Sequence, residues 1–173
     1  PVSLWFRDLL SYGVQPFILN SQVIRQPSPP GQGRAFRPDG SNLPWVIDEL
    51  RKQPEQFQRW LRHIQTALED IANITTVVRP EDRHCYLVIE YKNGATVPSW
   101  LISDGTLRLL ALTIPAWLTD LKGTFLIEEP ENGIHPSAIE TVIQALSSMY
   151  DSQVLVATHS PVALNMLRPV DIL

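Results

Sequence analysis

A helical pattern of apolar positions lies between two short apolar runs in the second half of the chain. The runs cover residues 125–127 and 154–157. Between them, after Pro136, the apolar positions recur on one helical face, at Ile139, Val142, Ile143, Leu146 and Met149. Pro136 suits the first turn of that helix. The pattern predicts a βαβ unit, and because such crossovers are right-handed, we expect the two strands to lie parallel and close together in one sheet.

Both predicted strands end in polar, ionisable side chains. Glu128 and Glu129 follow the first strand, and Thr158 and His159 follow the second. Ligands of parallel sheets bind outside the carboxyl ends of the strands. Neighbouring strand residues point to opposite faces, so one carboxylate can support Mg²⁺ while the other orients or deprotonates an attacking water. Each residue alone is more typical of a solvated strand end, but together they favour a catalytic edge.

A predicted hairpin precedes this unit. Residues 85–91 are rich in strand-forming side chains, and Asn93-Gly94 is the dipeptide preferred in tight hairpin turns. Residues 95–100 form the predicted return strand, in which Pro98 favours an edge position or a bulge.

A capped helix is predicted after the hairpin. Ser103 or Asp104 can cap it, Pro115 is expected to kink it, and its apolar face consists of Leu107, Leu110, Ala111 and Ile114. A serine, Gly105 and the free N–H groups of a helix start together make a good anion site. The alternative is an ordinary capped helix. This segment lies about two dozen residues before Glu128. Its occurrence together with the polar residues at the two strand ends strengthens the prediction of a catalytic edge.

The first half of the chain is predicted to contain helices and loops. A short helix at the start is allowed by Leu4, Trp5, Leu9 and Leu10. Residues 17–19 allow a strand, and the proline- and glycine-rich residues 26–40 are predicted to form a loop. Ser41 or Asn42 can cap a helix that continues to Leu50, with Pro44 in its first turn.

A stronger helix is predicted from Pro54. Its apolar stripe consists of Phe57, Trp60, Leu61, Ile64, Leu68 and Ile71. His63 lies beside the stripe, where we expect a solvated side chain rather than a ligand. At the other end of the chain, Pro161 is predicted to open a short helix through Leu167, and residues 170–173 to begin a strand.

Composition limits the class of protein. The chain has 173 residues, 44% apolar residues and a net charge of −4, which suits one domain and gives no overall sign of nucleic-acid or membrane binding. The single cysteine, Cys85, excludes an internal disulfide and is compatible with a cytoplasmic protein. No apolar run approaches the roughly 20 residues of a membrane span, and no signal peptide is apparent. The chain begins at Pro1 without methionine, so we expect a part of a larger protein.

Three segments together resemble one family of ATPases. FLIEEPENGIHP is similar to the Walker B and D-loop region of ABC-type ATPases, in the branch that contains RecF, SMC and OLD proteins. LISDGTLRLLAL resembles the ABC signature, and VATHSP the switch-histidine loop. The resemblance implies an α/β, P-loop NTPase-like fold in which a parallel sheet is flanked by helices. It covers residues 85–173 as the C-terminal part of such a domain, with residues 1–84 as a helical, loop-rich insertion or lobe.

The resemblance implies roles for three residues of the predicted edge. Glu128 takes the Walker B position that supports Mg²⁺, where the family usually has aspartate. Glu129 matches the catalytic glutamate, and His159 matches the switch histidine.

The remaining implied residues contact the nucleotide. Asn132 and Gly133 lie in the D-loop-like turn. Ser103, Asp104 and Gly105 belong to the signature, which in this family contacts the γ-phosphate of ATP held by the opposing subunit.

No Walker A motif occurs in the 173 residues, so we expect a partial domain that alone binds ATP poorly. The implied reaction is Mg²⁺-dependent ATP hydrolysis by a head-to-head dimer of identical heads. The candidate partners are a second head, a nuclease or other effector protein, and DNA, in repair or anti-phage defence, with no membrane. The alternatives are an OLD-type nuclease with a downstream Toprim domain, a transporter subunit, and a scaffold that does not hydrolyse ATP.

Overall fold

The computed structural model describes residues 2–8, 13–33, 35–119 and 121–172. The helices are α1 (Val2–Asp8), α2 (Ser21–Ile24), α3 (Leu43–Arg51), α4 (Pro54–Gln65), α5 (Asp104–Thr113), α6 (Pro136–Ser147) and α7 (Pro161–Asn165). The strands are β1 (Val14–Phe17), β2 (Ile71–Val78), β3 (Cys85–Tyr91), β4 (Thr96–Pro98), β5 (Gly123–Glu128) and β6 (Ser152–Ala157). Short 3₁₀ helices span Ser99–Leu101, Ile114–Trp117 and Pro169–Asp171. Leu9, Leu10 and Leu173, for which structure was predicted, lie outside the described residues.

The predicted βαβ unit is confirmed. β5 and β6 are parallel neighbours in a three-stranded sheet of order β1-β5-β6, and α6 connects them. Glu128 pairs in register with Ala157, so both strands end at the same edge of the sheet. β1 is also parallel to β5, although it ends at Phe17 rather than covering residues 17–19. The molecule is therefore α/β, with a parallel sheet flanked by helices.

One face of this sheet is partly exposed. Leu126 and Leu155 are neighbours in register, and each is 38% exposed, whereas Phe125 on the opposite face is buried. Successive strand residues alternate between faces, so the exposed pair marks one continuous apolar surface. Parallel sheets are normally covered on both faces.

The second sheet contains a strand that the apolar pattern did not predict. The stripe of α4 continues in spacing to Leu68 and Ile71, but the helix ends at Gln65 and Ile71 begins β2. β2 pairs antiparallel with β3 from Ile71 to Val78, with one register shift between Ile71 and Asn73. The β-branched side chains of β2 suit a pleated, half-buried surface. Pairing with β3 gives the backbone of β2 the hydrogen bonds that it would otherwise have formed within a longer helix. The predicted helical stripe was therefore wrong beyond the end of α4.

The hairpin is confirmed, with a shorter return strand. β3 pairs with β4 on either side of the Asn93-Gly94 turn, and β4 is an edge strand that ends at Pro98. Ser99 and Trp100, where the predicted return strand would have ended, instead belong to a 3₁₀ turn, Ser99–Leu101, that leads into α5. A kink at Pro115 was predicted; instead α5 ends at Thr113, and the chain continues as a 3₁₀ helix from Ile114 that contains Pro115.

One apolar core joins the two sheets through α4, α5 and α6. Trp60 is fully buried, and its indole N–H donates a hydrogen bond of 3.1 Å to Thr113 Oγ1. Residues before and after position 85 contribute to this same core. The division of the chain into residues 1–84 and 85–173 stays a prediction. None of the helices within the described ranges is long and apolar enough to cross a membrane.

Three further expectations need correction. His63 is half-buried rather than solvated, because its Nε2 lies 2.7 Å from the carbonyl oxygen of Thr141 and its ring contacts Trp117.

Asn42 precedes α3, but its side chain forms hydrogen bonds with the backbone of the preceding loop instead of capping the helix. Residues 169–171 form a 3₁₀ turn where a strand was expected. The Asp171 carboxylate accepts a hydrogen bond of 3.3 Å from the Arg168 backbone N–H and forms an ion pair with the Arg168 guanidinium.

Candidate active site

Glu129 stands at the point where β5 ends. Its backbone N–H donates a hydrogen bond of 2.7 Å to the carbonyl oxygen of Ala157, at the end of β6. Its φ is +44°, in the left-handed region that non-glycine residues rarely adopt. Such a conformation costs about 1–3 kcal/mol and persists only where the surroundings enforce it. The chain therefore turns sharply here and carries the Glu129 side chain away from the direction of the strand.

The Glu129 carboxylate has two neighbours from the predicted site. The side-chain amide of Asn132 donates a hydrogen bond to Glu129 Oε2, and the Asn132 backbone N–H donates one of 2.9 Å to the Glu129 carbonyl. His159 Nε2 lies 3.8 Å from Glu129 Oε1, too far for a hydrogen bond. The His159 side chain is 91% exposed and that of Glu129 is 39% exposed. The structure thus brings Glu129, Asn132 and His159 together, with the imidazole exposed and the carboxylate side chain partly exposed.

Glu128 lies apart from this group. It is exposed at the edge of the sheet, beside Ala157 on β6. Its carboxylate makes no hydrogen bond or ion pair with any residue that the structure describes, and those residues contain no cluster of three or more histidine, cysteine, aspartate or glutamate side chains. Mg²⁺ in nucleotide sites typically takes one or two carboxylates together with phosphate oxygens and water. A single open carboxylate such as Glu128 fits an ion that is held mainly by a nucleotide.

Gly105 and Gly133 bring the start of α5 against the turn that follows β5. A Cβ atom on Gly105 would lie 2.6 Å from the carbonyl oxygen of Gly133. Gly133 has a φ of +73°, so it needs glycine for its backbone conformation. Gly105 needs glycine for the close approach. Two residues predicted from separate motifs therefore meet in one contact.

Ser103 and Asp104 occupy the exposed start of α5. Ser103 Oγ accepts a hydrogen bond of 3.1 Å from the Thr106 backbone N–H, so Ser103 is the cap of the helix. Asp104 forms an ion pair with Arg25, and Arg25 Nη1 also donates a hydrogen bond of 2.9 Å to the carbonyl of Trp100. The guanidinium offsets the negative charge of Asp104 at a helix start, where an anionic ligand would otherwise be repelled. Sequence analysis missed Arg25, because nothing local to it indicates a contact with residue 104.

Comparison with known proteins places the chain in a family. Residues 34–165 match the family model described as "AAA domain, putative AbiEii toxin, Type IV TA system". The chain belongs to this AAA domain family. A solved structure similar to the chain is the Smc head domain with a coiled coil and joint derived from Pyrococcus yayanosii, at 20% identity and a TM-score of 0.42. The match covers 69% of this chain but only 26% of that one. No curated protein matches the chain.

Membership in an AAA domain family indicates nucleotide binding and hydrolysis in general, with ATP and Mg²⁺ as the usual ligands of such domains. The ionisable residues Glu128, Glu129 and His159 of this AAA domain lie at the carboxyl ends of β5 and β6, where a parallel sheet normally binds its ligand.

Glu131 is a residue of this edge to which the sequence analysis assigned no function. Its Oε1 accepts a hydrogen bond of 2.7 Å from Thr158 Oγ1 and one of 3.1 Å from the backbone N–H of His159. Burial raises the pKa of this carboxyl, but the hydrogen bonds, that of Thr158 foremost, outweigh burial and hold the pKa below its ordinary value. The position within EEPEN was a weak signal, because a glutamate in a turn is usually solvated.

Proposed function

We propose that this AAA domain is the hydrolytic half of an ABC-type ATPase head of the RecF, SMC and OLD kind. The observation that carries the proposal is the approach of His159 to Glu129, at 3.8 Å, across the carboxyl ends of two neighbouring parallel strands. A carboxylate and an imidazole that face the same solvent-accessible edge are suited to activate water and contact a phosphate. The left-handed backbone at Glu129 supports a functional role, because strain of this kind tends to concentrate at active sites.

Each residue of the edge has a distinct task in the proposed reaction. A Glu129 carboxylate oxygen accepts a proton from the attacking water, whose oxygen bonds to the γ-phosphorus. The bond from that phosphorus to the β–γ bridging oxygen breaks, and ADP and phosphate leave. Asn132 holds the second carboxylate oxygen of Glu129, and His159 donates a hydrogen bond to the γ-phosphate or the water. Glu128 would hold Mg²⁺, which when bound neutralises phosphate charge.

The proposed head works as a dimer of identical subunits. Ser103, Asp104 and Gly105 would contact the γ-phosphate of ATP held by the opposing subunit, with Gly133 in the adjoining turn. Support comes from the exposure of Ser103 and Asp104, the charge compensation by Arg25, and the helix start, whose free N–H groups favour an anion.

The whole protein is proposed to extend beyond this half domain. A nucleotide site of this class needs a phosphate-binding loop, and no such motif occurs in the chain. The exposed pair Leu126 and Leu155 supports a further covering layer on the parallel sheet. We propose a cytoplasmic protein that couples ATP turnover to an effector protein or DNA. The family description, which names a toxin of a Type IV TA system, is compatible with a defence role.

The test separates the two glutamates in the intact protein. Glu129→Gln keeps the size and shape of the side chain but removes the charge, so we expect ATP and Mg²⁺ to bind and single-turnover hydrolysis to fall by about 10²–10⁴-fold. Glu128→Gln should instead raise the Mg²⁺ concentration needed for activity. Hydrolysis by Glu129→Gln at the parent rate, beside an inactive Glu128→Gln, would show that the two roles are reversed.

A further inference from the structure

Two loops must keep a fixed relation if Glu129 and His159 are to act on one phosphate. The first is the turn of residues 130–134 that follows β5, and the second is residues 158–160 after β6. Glu129 and His159 themselves are 3.8 Å apart and share no hydrogen bond. Their own side chains therefore do not hold the loops together.

Glu131 connects the two loops with a single carboxylate oxygen. Oε1 receives both the Thr158 hydroxyl, at 2.7 Å, and the His159 backbone N–H, at 3.1 Å. The Thr158 oxygen in turn accepts the backbone N–H of Ser160 at 3.0 Å, and Ser160 caps α7. The carboxylate thus reaches three consecutive residues of the second loop, two directly and one through Thr158.

Glu131 is itself anchored in the first loop. Its carbonyl accepts a hydrogen bond of 3.1 Å from the backbone N–H of Ile134, which closes the turn. Its second oxygen, Oε2, is buried without a hydrogen-bond partner among the described residues. A charged oxygen that is buried without a partner costs stability, so we expect this carboxylate to have a task that an apolar side chain could not perform.

We propose that Glu131 is a positioning residue that sets the backbone of His159 relative to Glu129. It touches neither of the reacting groups, and it acts by fixing the N–H of the histidine and the hydroxyl beside it. The inference rests on the proposed function, because it assigns Glu131 a part in orienting the switch histidine. When the turn of residues 130–134 moves, for example on nucleotide binding, the histidine loop moves with it.

The experiment compares single-turnover ATP hydrolysis and ATP affinity in the intact protein. Glu131→Ala and Thr158→Val each remove one side of the link, and we expect each to slow hydrolysis by about 10–100-fold with ATP affinity unchanged, since small misplacements of a reacting group cost rate rather than binding. Thr158→Ser keeps the hydroxyl and is the matched control, expected at the parent rate. Thr158→Val also keeps the test decisive if Glu131→Ala does not fold.

A double variant distinguishes positioning from a merely structural effect. If Glu131 acts through the histidine, Glu131→Ala combined with His159→Ala should be no slower than His159→Ala alone. Fully additive losses would overturn the inference, as would a parent rate for Glu131→Ala or equal losses for Thr158→Ser and Thr158→Val. A parent rate for His159→Ala would instead refute the catalytic part of the proposed function. The inference alone fails if His159→Ala is slow while Glu131→Ala is not.

Discussion

Replacing Gly105 by alanine tests the contact that joins the signature segment to the turn after β5. The new Cβ would lie 2.6 Å from the carbonyl oxygen of Gly133, whereas ordinary van der Waals contact begins near 3.4 Å. The neighbour is backbone, not the flexible end of a side chain, so either the start of α5 or the turn must move by several tenths of an ångström.

The expected cost follows from two opposing effects. Overpacking of this kind destabilises a protein by about 1–3 kcal/mol. Alanine is favoured over glycine in a helix by about 1 kcal/mol at most, and by less in the first turn, where Gly105 lies. The close contact therefore prevails, and we expect the free energy of unfolding to fall by about 1–2 kcal/mol, which lowers Tm by about 2–8 °C in a protein of this size.

Denaturant unfolding of the parent and the variant measures this difference directly. Gly33→Ala is the matched control, because a Cβ there meets no atom within 4 Å and the residue has no left-handed φ. We expect that control to change stability by less than about 0.5 kcal/mol. In the intact protein, Gly105→Ala should also slow ATP hydrolysis at temperatures where it is folded, because Ser103 moves with the helix start. A Gly105→Ala variant as stable and as active as the parent would refute the contact.

Two further predictions concern the core. Thr113→Val leaves the buried indole N–H of Trp60 without its acceptor, and we expect a loss of about 1–3 kcal/mol in denaturant unfolding, with a loss below about 0.5 kcal/mol arguing against that hydrogen bond. Burial raises the pKa of the Cys85 thiol from 9.0 to about 12, so above pH 9 the unfolded chain releases a proton that the folded chain keeps. Folding stability should then fall with rising pH, by about 1 kcal/mol more between pH 8 and 10 in the parent than in Cys85→Ala, and equal slopes in the two proteins would contradict the buried thiol.

Local signals in the sequence were sufficient for the βαβ unit and its edge. The apolar runs that end in Glu128-Glu129 and in Thr158-His159 predicted the two parallel strands, and the structure pairs them in register. The spacing within α6 and the position of Pro136 likewise need only neighbouring residues to be interpreted. Resemblance to a known family then supplied roles for residues that the apolar pattern alone could assign only to a solvated strand end.

Pattern alone failed where a distant partner decides the local structure. Ile71 continues the helical spacing of α4, but β3 is present to pair with it, and the ladder of backbone hydrogen bonds makes the segment a strand. The position of His63 beside the stripe predicts an exposed side chain, but the carbonyl of Thr141 and the ring of Trp117 cover it. In each case the deciding partner lies at least about 20 residues away in the chain.

The sequence by itself determined which residues stand at the carboxyl ends of the strands, because strand endings are encoded locally by apolar runs and the polar residues after them. Only the tertiary structure decided how those residues are held. Arg25 reaches Asp104, Gly105 meets Gly133, and Glu131 binds the loop of His159. The residues of the Glu131–His159 and Gly105–Gly133 contacts are 28 positions apart in the chain, and those of the Arg25–Asp104 contact are 79 apart. The apolar pattern within a single helix or strand carries no information about contacts between residues so far apart.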